Sequence, residues 1–395
     1  MSLEIALSGI HAINTQLDAI SNNIANSGTY GFKSSRANFA SLYAGSEANG
    51  AELSSMTQSL SLGGGTVTTG GKMDVAIAGN GYFVSRDQTG GTVYSRVGIF
   101  SVNKDGAVID SDGRKAQGYG VTPGSTVPGP MGDMTVPTGQ IAAEATDSLA
   151  YVGNLSSDWT VPTVAAFDPD EPGSFNSSVL SVVHDSLGSE HTLRQYFVKT
   201  GTNAVTTHYT LDGVATAAPT ELTFDSTGQL ATPTAAVTLA LGTPTGAEPL
   251  SINLDYKGTT QFAGESTTTT NVANGYASGT LVGVQILADG RVSATYSNDK
   301  SLTVGTLALA TFPDESGLEP ISGTSWAASS RSGTALYFTP GSGMAGTLTT
   351  GSLEQSNVDI TSELVNLMSS QRNYQANSKV ISTEAAMLQS LMQAV

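Results

Sequence analysis

Residues 3–26 read LEIALSGIHAINTQLDAISNNIAN, and this stretch decides the fold of the N-terminal end. Its apolar residues recur every seven positions in two rows, which is the pattern of an a/d seam, and Gly9 is its only helix breaker. The pattern predicts a helix that ends before Gly28, where Asn and Gly favour a left-handed C-cap. The seam consists of Leu3, Ala6, Ile10, Ile13, Leu17, Ile20 and Ile24.

The C-terminal end carries a second pattern of the same kind. Asp359 is a candidate N-cap, and residues 360–395 contain neither Gly nor Pro, so a helix is predicted there. Helices at both extreme ends favour coiled-coil association, between the two ends or between copies of the chain, over packing on one globular core. One row of the seam is expected at Ile360, Leu367, Tyr374, Ile381 and Leu388, and a second row, four positions further on, includes Leu364 and Met392.

The residues between the helices predict short β-strands and tight turns. Two β-branched runs, Val282–Leu287 and Val292–Tyr296, flank Asp289-Gly290, which is a typical hairpin pattern. The predicted fold class is therefore mainly β with terminal α-helices. We expect nested antiparallel β domains of sandwich or barrel type, and N- and C-terminal helices that form a coiled-coil-like inner domain.

Segments rich in Pro, Thr and Gly at 122–138 and 264–280 suggest domain boundaries. A long connector without structure of its own is uncommon in compact domains, but residues 27–71 show little apolar periodicity. The predicted order is an N-terminal helix at 1–26, an extended connector at 27–71, the first part of an inner β domain at 72–145, an inserted outer β domain at 146–279, the second part of the inner β domain at 280–355, and a C-terminal helix at 356–395.

The composition excludes several classes of function. The 395 residues include 33 acidic and 16 basic residues, and the net charge of -17 argues against nucleic acid or a membrane surface as a partner. No apolar run approaches the ~18 residues of a membrane span, so membrane insertion is not expected. The absence of cysteine excludes disulfides and thiolate catalysis. The first residues lack the pattern of a secretory signal peptide, so placement outside the cell would need a route that does not read a cleaved signal.

Motifs for catalysis are weak. The segment GSGMAG at 341–346 matches the dinucleotide fingerprint, but Thr347–Gly351 cannot open the helix that would hold a pyrophosphate, so a turn is predicted. The four histidines lack metal-ligand spacing. The sequence does not exclude a glycosidase that uses two carboxylates far apart in the chain, but no motif points to one. We therefore expect no enzyme, no catalytic residues, no metal and no cofactor.

Two motifs resemble signatures of a known family. Residues 21–33, SNNIANSGTYGFK, resemble the N-terminal signature NNIAN-x-x-T-x-G-[YF]-K of bacterial flagellar rod and hook proteins. SNVD at 356–359 and QRNYQAN at 371–377 are similar to the matching C-terminal signature, and residues 74–83 to a weaker internal block. The matching positions singled out are Asn22, Asn23, Ile24, Ala25, Asn26, Thr29, Gly31, Phe32, Lys33, Gln371, Arg372, Tyr374 and Asn377.

The resemblance implies a non-enzymatic subunit of the extracellular bacterial flagellum. The length and the single inserted β domain resemble the hook members of the family, which self-assemble into a curved tube, a universal joint between motor and filament. The implied partners are other copies of the chain, the distal rod, the hook cap, the hook–filament junction proteins and the flagellar type III export apparatus. Both helical seams would then serve polymerisation. The alternatives are a distal rod-type protein of the same family and a surface adhesin with an acidic β-rich binding domain.

Overall fold

The computed structural model describes residues 2–44, 47–121, 128–164 and 166–394. Its contacts divide the chain into two compact units. Unit 1 comprises Met1–Thr138, Gly283–Thr295 and Ser301–Val395, and unit 2 comprises Gly139–Val282 and Tyr296–Lys300. Unit 1 therefore contains both ends of the chain.

Two long α-helices lie in the described part of unit 1, α1 (Ser2–Ala25) and α2 (Ile360–Ala394), and they pack on each other. Neither is long and apolar enough to span a membrane, judged on its described residues. The strands that precede unit 2 are β1 (Ser35–Ala44), β2 (Glu47–Gln58), β3 (Thr66–Thr68), β4 (Val75–Ala78), β5 (Tyr82–Arg86), β6 (Thr92–Ser95), β7 (Phe100–Val102), β8 (Val108–Asp110), β9 (Lys115–Val121) and β10 (Pro128–Asp133).

The remaining strands complete both units. Those of unit 2 are β11 (Ser148–Asn154), β12 (Ser177–His184), β13 (Glu190–Gly201), β14 (Ala204–Leu211), β15 (Val214–Ala215), β16 (Thr220–Phe224), β17 (Leu230–Thr232), β18 (Val237–Gly242), β19 (Leu250–Asp255) and β20 (Thr267–Ala273). The chain then continues, mostly in unit 1, with β21 (Leu281–Ile286), β22 (Arg291–Tyr296), β23 (Ser301–Leu307), β24 (Leu309–Thr311), β25 (Glu319–Ile321), β26 (Ser325–Ala327), β27 (Leu336–Phe338), β28 (Thr347–Thr350) and β29 (Ser352–Glu354).

The largest sheet of unit 1 follows the order β21-β22-β23-β9-β5-β6-β26-β25. Its hairpins turn at Asp-Gly pairs, where Gly106, Gly113 and Gly290 have φ of 81°, 77° and 82°. Glycine adopts this left-handed conformation without the steric penalty of a side chain, as the turns require. Strands from the two halves of the chain also pair directly, β28 with β4 and β29 with β3. The observed architecture confirms the predicted fold class.

An aromatic cluster forms the core beneath this sheet. Tyr82 makes edge-to-face contacts with Trp326 and Phe312, at ring-centroid distances of 5.6 and 6.0 Å. The Trp326 indole N–H donates a 2.7 Å hydrogen bond to Gln58 at the end of β2, and Leu60 is buried in the same cluster. The segment that follows β2 is therefore anchored in the core of unit 1.

Sequence reasoning missed a hairpin within residues 27–71, the expected connector. Strands β1 and β2 pair antiparallel from Ser35 opposite Gln58 to Ala44 opposite Glu47. The register shifts between Asn38 and Phe39, and again between Leu42 and Tyr43. Each shift breaks the two-residue alternation of side chains that marks a strand in a sequence. The hairpin packs against α1.

Unit 2 is built from two sheets that share one hydrophobic core. One sheet has the order β12-β13-β14-β16-β17 and the other the order β18-β19-β11-β20, in which β11 and β19 are parallel. Alternate residues of β19 are buried and exposed, as expected for a strand with one face on a core. The core includes Leu149, Tyr151, Leu193, Phe197, Tyr209, Ile252, Leu254 and Tyr256.

His191 on β13 lies between two aspartates of unit 2. Its Nδ1 is 2.7 Å from Asp212 Oδ2, and its Nε2 is 3.3 Å from Asp185 Oδ2. Asp185 follows β12 and Asp212 follows β14, so the ring connects the turns beyond the two neighbours of β13. The hydrogen bond to Asp212 is the main cause that raises the pKa of His191, and burial opposes it.

We expect this contact to make the stability of unit 2 depend on pH. Because the pKa of His191 is raised in the folded state, its contribution is fully present below about pH 6.5 and is lost as the pH rises through the folded pKa. The substitution His191→Gln should flatten this part of the profile of unfolding free energy against pH, measured by urea unfolding. Asp212→Asn should flatten it as well. Unchanged profiles in both variants would contradict the prediction.

Candidate assembly site

The helices α1 and α2 run antiparallel. Asn23, near the end of α1, donates a 2.9 Å hydrogen bond to Glu363 in the first turn of α2. Further along, Gly9 lies against Asn377, and a Cβ at Gly9 would stand 2.9 Å from the Asn377 amide nitrogen. Gly9, the only helix breaker in the N-terminal pattern, therefore permits close approach of the two helices.

The N-terminal seam faces the interior of unit 1. Ala6, Ile13 and Ile20 are buried. The neighbouring row, Ile10, Leu17 and Ile24, is half-buried, and the side chain of Leu3 lies outside the described residues. This face of α1 packs on α2 and on the β1–β2 hairpin. The Ser8 hydroxyl accepts a 3.2 Å hydrogen bond from the Ala51 N–H of β2.

The C-terminal seam lies mostly at the surface. Leu367 and Ile381 are half-buried, in the row that the sequence predicted. The positions of α2 that are also covered are polar: Ser370 is buried, and Asn377 and Glu384 are half-buried. The exposed members of the predicted seam are Ile360, Leu364, Tyr374, Leu388 and Met392.

A covered polar row thus lies three positions after the first row. Ser370 and Asn377 are each three residues beyond Leu367 and Tyr374, respectively. Polar side chains of modest size allow α1 to approach, as its close contact at Gly9 requires. The predicted seam is therefore partly covered at Leu367 and Ile381, and its other members stay exposed.

The asparagines of the N-terminal motif bind the backbone that leaves α1. The Asn23 amide forms two 2.8 Å hydrogen bonds with the backbone of Ser35, one to its carbonyl and one from its N–H. Asn26 donates to the carbonyl and side-chain oxygens of Asn22, at 2.9 Å each, and accepts from the Thr29 hydroxyl at 3.1 Å. These contacts fix the end of α1 and the start of β1.

Lys33, the last residue of that motif, belongs to a buried ionic cluster. Its Nζ lies 2.7 Å from Glu354 Oε1 and donates to the Leu62 carbonyl at 2.7 Å. Arg96 Nη1 lies 3.3 Å from Glu354 Oε2. The side chains of Lys33, Glu354 and Arg96 have relative exposures of 0%, 2% and 4%. The cluster therefore joins the N-terminal motif to β29 and to the loop after β6.

Burial lowers the pKa of Lys33, and the hydrogen bond to Glu354 opposes this shift. The Glu354 carboxylate also accepts from the Gly64 N–H at 3.0 Å. Gly31, with φ of 68°, lies beside the cluster, because its N–H donates a 2.8 Å bond to the Glu354 carbonyl. A Cβ at Gly31 would stand 3.0 Å from the backbone nitrogen of Val97.

Sequence reasoning did not single out Glu354 or Arg96. Glu354 directly precedes the C-terminal motif, in which Asn357 accepts from the Ser34 N–H at 2.7 Å and donates to the Ser59 and Leu62 carbonyls at 2.9 and 3.0 Å. A pair of buried charges more than 300 positions apart leaves no local pattern to detect. Of the other motif residues, Phe32 is half-buried, whereas Ala25, Gln371 and Arg372 are exposed.

The segment at 341–346 forms a turn, which the Gly341 N–H closes on the Gly346 carbonyl at 2.9 Å. Strand β28 follows it, so this segment has no helix N-terminus for a pyrophosphate. In the described ranges of the chain, no group of three or more His, Asp and Glu residues is placed to hold a metal ion.

Comparison with known proteins gives matches over nearly the whole chain. Four family models match: "Flagella basal body rod protein" at residues 3–33, "Flagellar hook protein FlgE/F/G D1 domain" at 76–148, "Flagellar basal body protein FlaE D2 domain" at 154–276, and "Flagellar basal body rod FlgEFG protein C-terminal" at 349–394. The flagellar hook protein FlgE of Salmonella typhimurium is 38% identical over 405 residues, covering 99% of both chains. This chain belongs to the flagellar hook protein family.

Hook proteins of lower sequence identity also match this chain. FlgE of Treponema pallidum is 31% identical over 460 residues, which cover 99% of this chain and 98% of the relative. The crystal structure of Helicobacter pylori FlgE2 has a TM-score of 0.52 and covers 71% of this chain and 98% of its own, and at 12% identity it shows similarity of fold alone.

Membership of the hook protein family makes the chain a structural, non-enzymatic protein of the bacterial flagellum. The two models described as rod proteins match its end segments, whereas FlgE relatives match it from end to end. The hook interpretation is therefore confirmed over the distal-rod alternative. The relatives likewise give no support to the adhesin alternative.

Removing a carboxylate from the buried ionic cluster should cost more stability than removing one from an exposed ion pair. Glu354→Gln leaves Lys33 buried without its carboxylate, and we expect a loss of about 3–5 kcal/mol in unfolding free energy. The matched control is Asp133→Asn, because Asp133 pairs with Lys115 and Arg86 at exposed positions. That control should cost less than about 1 kcal/mol. Urea unfolding monitored by circular dichroism measures both changes in unfolding free energy. Equal losses in the two variants would contradict the prediction.

Proposed function

We propose that this hook-family chain polymerises through α1 and α2 into the curved tube that links rod and filament and transmits torque between them. The observation that carries the proposal is the number of apolar side chains that stay exposed along α2. Leu364, Val380, Leu388 and Leu391 have relative exposures of 47%, 46%, 52% and 63%. Exposed apolar side chains of this kind are stabilised when a second chain covers them, at about 25 cal/mol per Å² of apolar surface buried.

The charge distribution supports assembly through the same ends. Residues 1–44 hold two acidic and two basic residues, and so do residues 361–395, so each end is neutral. The net charge of -17 therefore comes from the residues between them. Neutral ends avoid the repulsion that acidic segments would produce when many copies are stacked.

The proposal extends to partners and export by analogy with the family. The ends of such a tube would contact the distal rod, the hook cap and the hook–filament junction proteins. The chain would reach the flagellum through the flagellar type III apparatus, without a cleaved signal peptide. The isolated chain should remain loosely ordered along α2, because an exposed helix is marginal in water without tertiary packing.

A charge at one of these exposed apolar positions should block assembly without unfolding the subunit. Leu388→Asp places a carboxylate where the proposed contact excludes water, so tube formation should be lost. Because Leu388 is exposed in the single chain, the urea midpoint should stay within error of the parent. Electron microscopy and sedimentation measure the tubes.

The matched control is Gln389→Asp, which adds the same charge at the neighbouring exposed position, turned about 100° around the helix. Gln389→Asp should assemble more readily than Leu388→Asp. Normal tubes from Leu388→Asp would overturn the assignment of Leu388 to the contact between chains.

We further propose that unit 2 tunes the curvature of the tube and is not required to build it. Its main segment carries no part of the two terminal motifs. Joining residue 145 to residue 280 through a short Gly/Ser linker should therefore permit export and tube growth, but the tubes should be straight in electron micrographs. Failure of this variant to polymerise, under conditions where the full chain forms tubes, would make unit 2 an assembly element.

A further inference from the structure

The outward faces of α1 and α2 carry opposite charge. The exposed stripe of α1 follows a heptad and includes Glu4 and Asp18, and α1 contains no Lys or Arg. On α2, the exposed stripe includes Arg372 and Lys379. The complete stripes are Glu4, Leu7, His11, Asn14, Asp18, Ser21 and Ala25 on α1, and Met368, Arg372, Gln375, Lys379, Ser382 and Ala386 on α2.

The two carboxylates of α2 are turned toward the interior of unit 1. Glu363 is half-buried and accepts a hydrogen bond from Asn23, and Glu384 is half-buried as well. The helix is neutral as a whole, yet its exposed stripe is cationic. The described residues place no opposite charge within 4.0 Å of Asp18, Arg372 or Lys379.

The charges of each stripe are separated by a multiple of seven residues. Arg372 and Lys379 are seven residues apart, or about 10.5 Å along the helix, and Asp18 is two such steps from Glu4. Heptad stripes of opposite sign are the pattern by which coiled coils select partners. Within one chain, each stripe faces away from the other helix, so the pairing requires a second chain.

We propose that the exposed stripe of α1 in one copy docks on the exposed stripe of α2 in a second copy, with Asp18 paired to Arg372 or Lys379. The inference rests on the proposed polymerisation and names the surfaces involved. Charges in such a contact select the correct partner and orientation, while the apolar neighbours Leu7 and Met368 supply buried surface.

Two charge reversals and their mixture test this docking. The first variant is Asp18→Lys and the second is Arg372→Glu with Lys379→Glu. Each alone should raise the critical concentration for tube formation about tenfold, because an attraction becomes a repulsion in every contact. An equimolar mixture of the two should assemble near the wild-type concentration, since each reversed stripe then meets a reversed stripe of the other copy.

Matched controls are Asp105→Lys and Lys104→Glu, which make the same charge changes at exposed positions of unit 1 away from both helices. They should leave the critical concentration unchanged. If neither reversal affects assembly, or if the mixture assembles no better than its components, the docking proposal is wrong while tube formation by the wild type still stands. If the wild type forms no tubes, the proposed function itself fails.

Discussion

The buried carboxylate of Glu354 is the constraint on which the arrangement of the chain ends depends. It binds Lys33 from the N-terminal motif and Arg96 from the loop after β6, and it lies on the strand that leads toward α2. A charge at this depth is tolerable only when its partners are in place. The three segments must therefore take up their positions together, although they are far apart in the sequence.

The asparagine contacts extend this constraint to the helices. Asn23 connects the last turn of α1 to β1 and to the first turn of α2, and Asn357 connects the segment before α2 to the backbone at Ser34 and Ser59. Both helices are therefore fixed at the ends that lie next to the ionic cluster. The motif positions at the end of α1 thus act within one chain, as hydrogen-bonding residues that set how the helix pair begins.

Local patterns predicted much of the fold, because they depend on neighbours in the sequence. The hairpin that flanks Asp289-Gly290 and the helix that follows Asp359 are both present. The β1–β2 hairpin was missed because two register shifts break its alternation. Glu354 was missed because its partners are remote in the sequence, and the covered positions Ser370 and Asn377 of α2 gave no signal because they are polar.

The polar residues Ser370 and Asn377 on the covered side of α2 leave its apolar residues available for assembly. A chain that buried all the apolar side chains of α2 against its own α1 would have little apolar surface left for a second copy. With Ser370 and Asn377 on the covered side, the contact within the chain relies on close approach at Gly9 and on the anchored ends. Apolar side chains such as Leu364 and Leu388, and the cationic stripe of α2, stay exposed. The same helix can then be held in position by its own chain and stabilised by its neighbours, which is the division that a polymerising subunit requires.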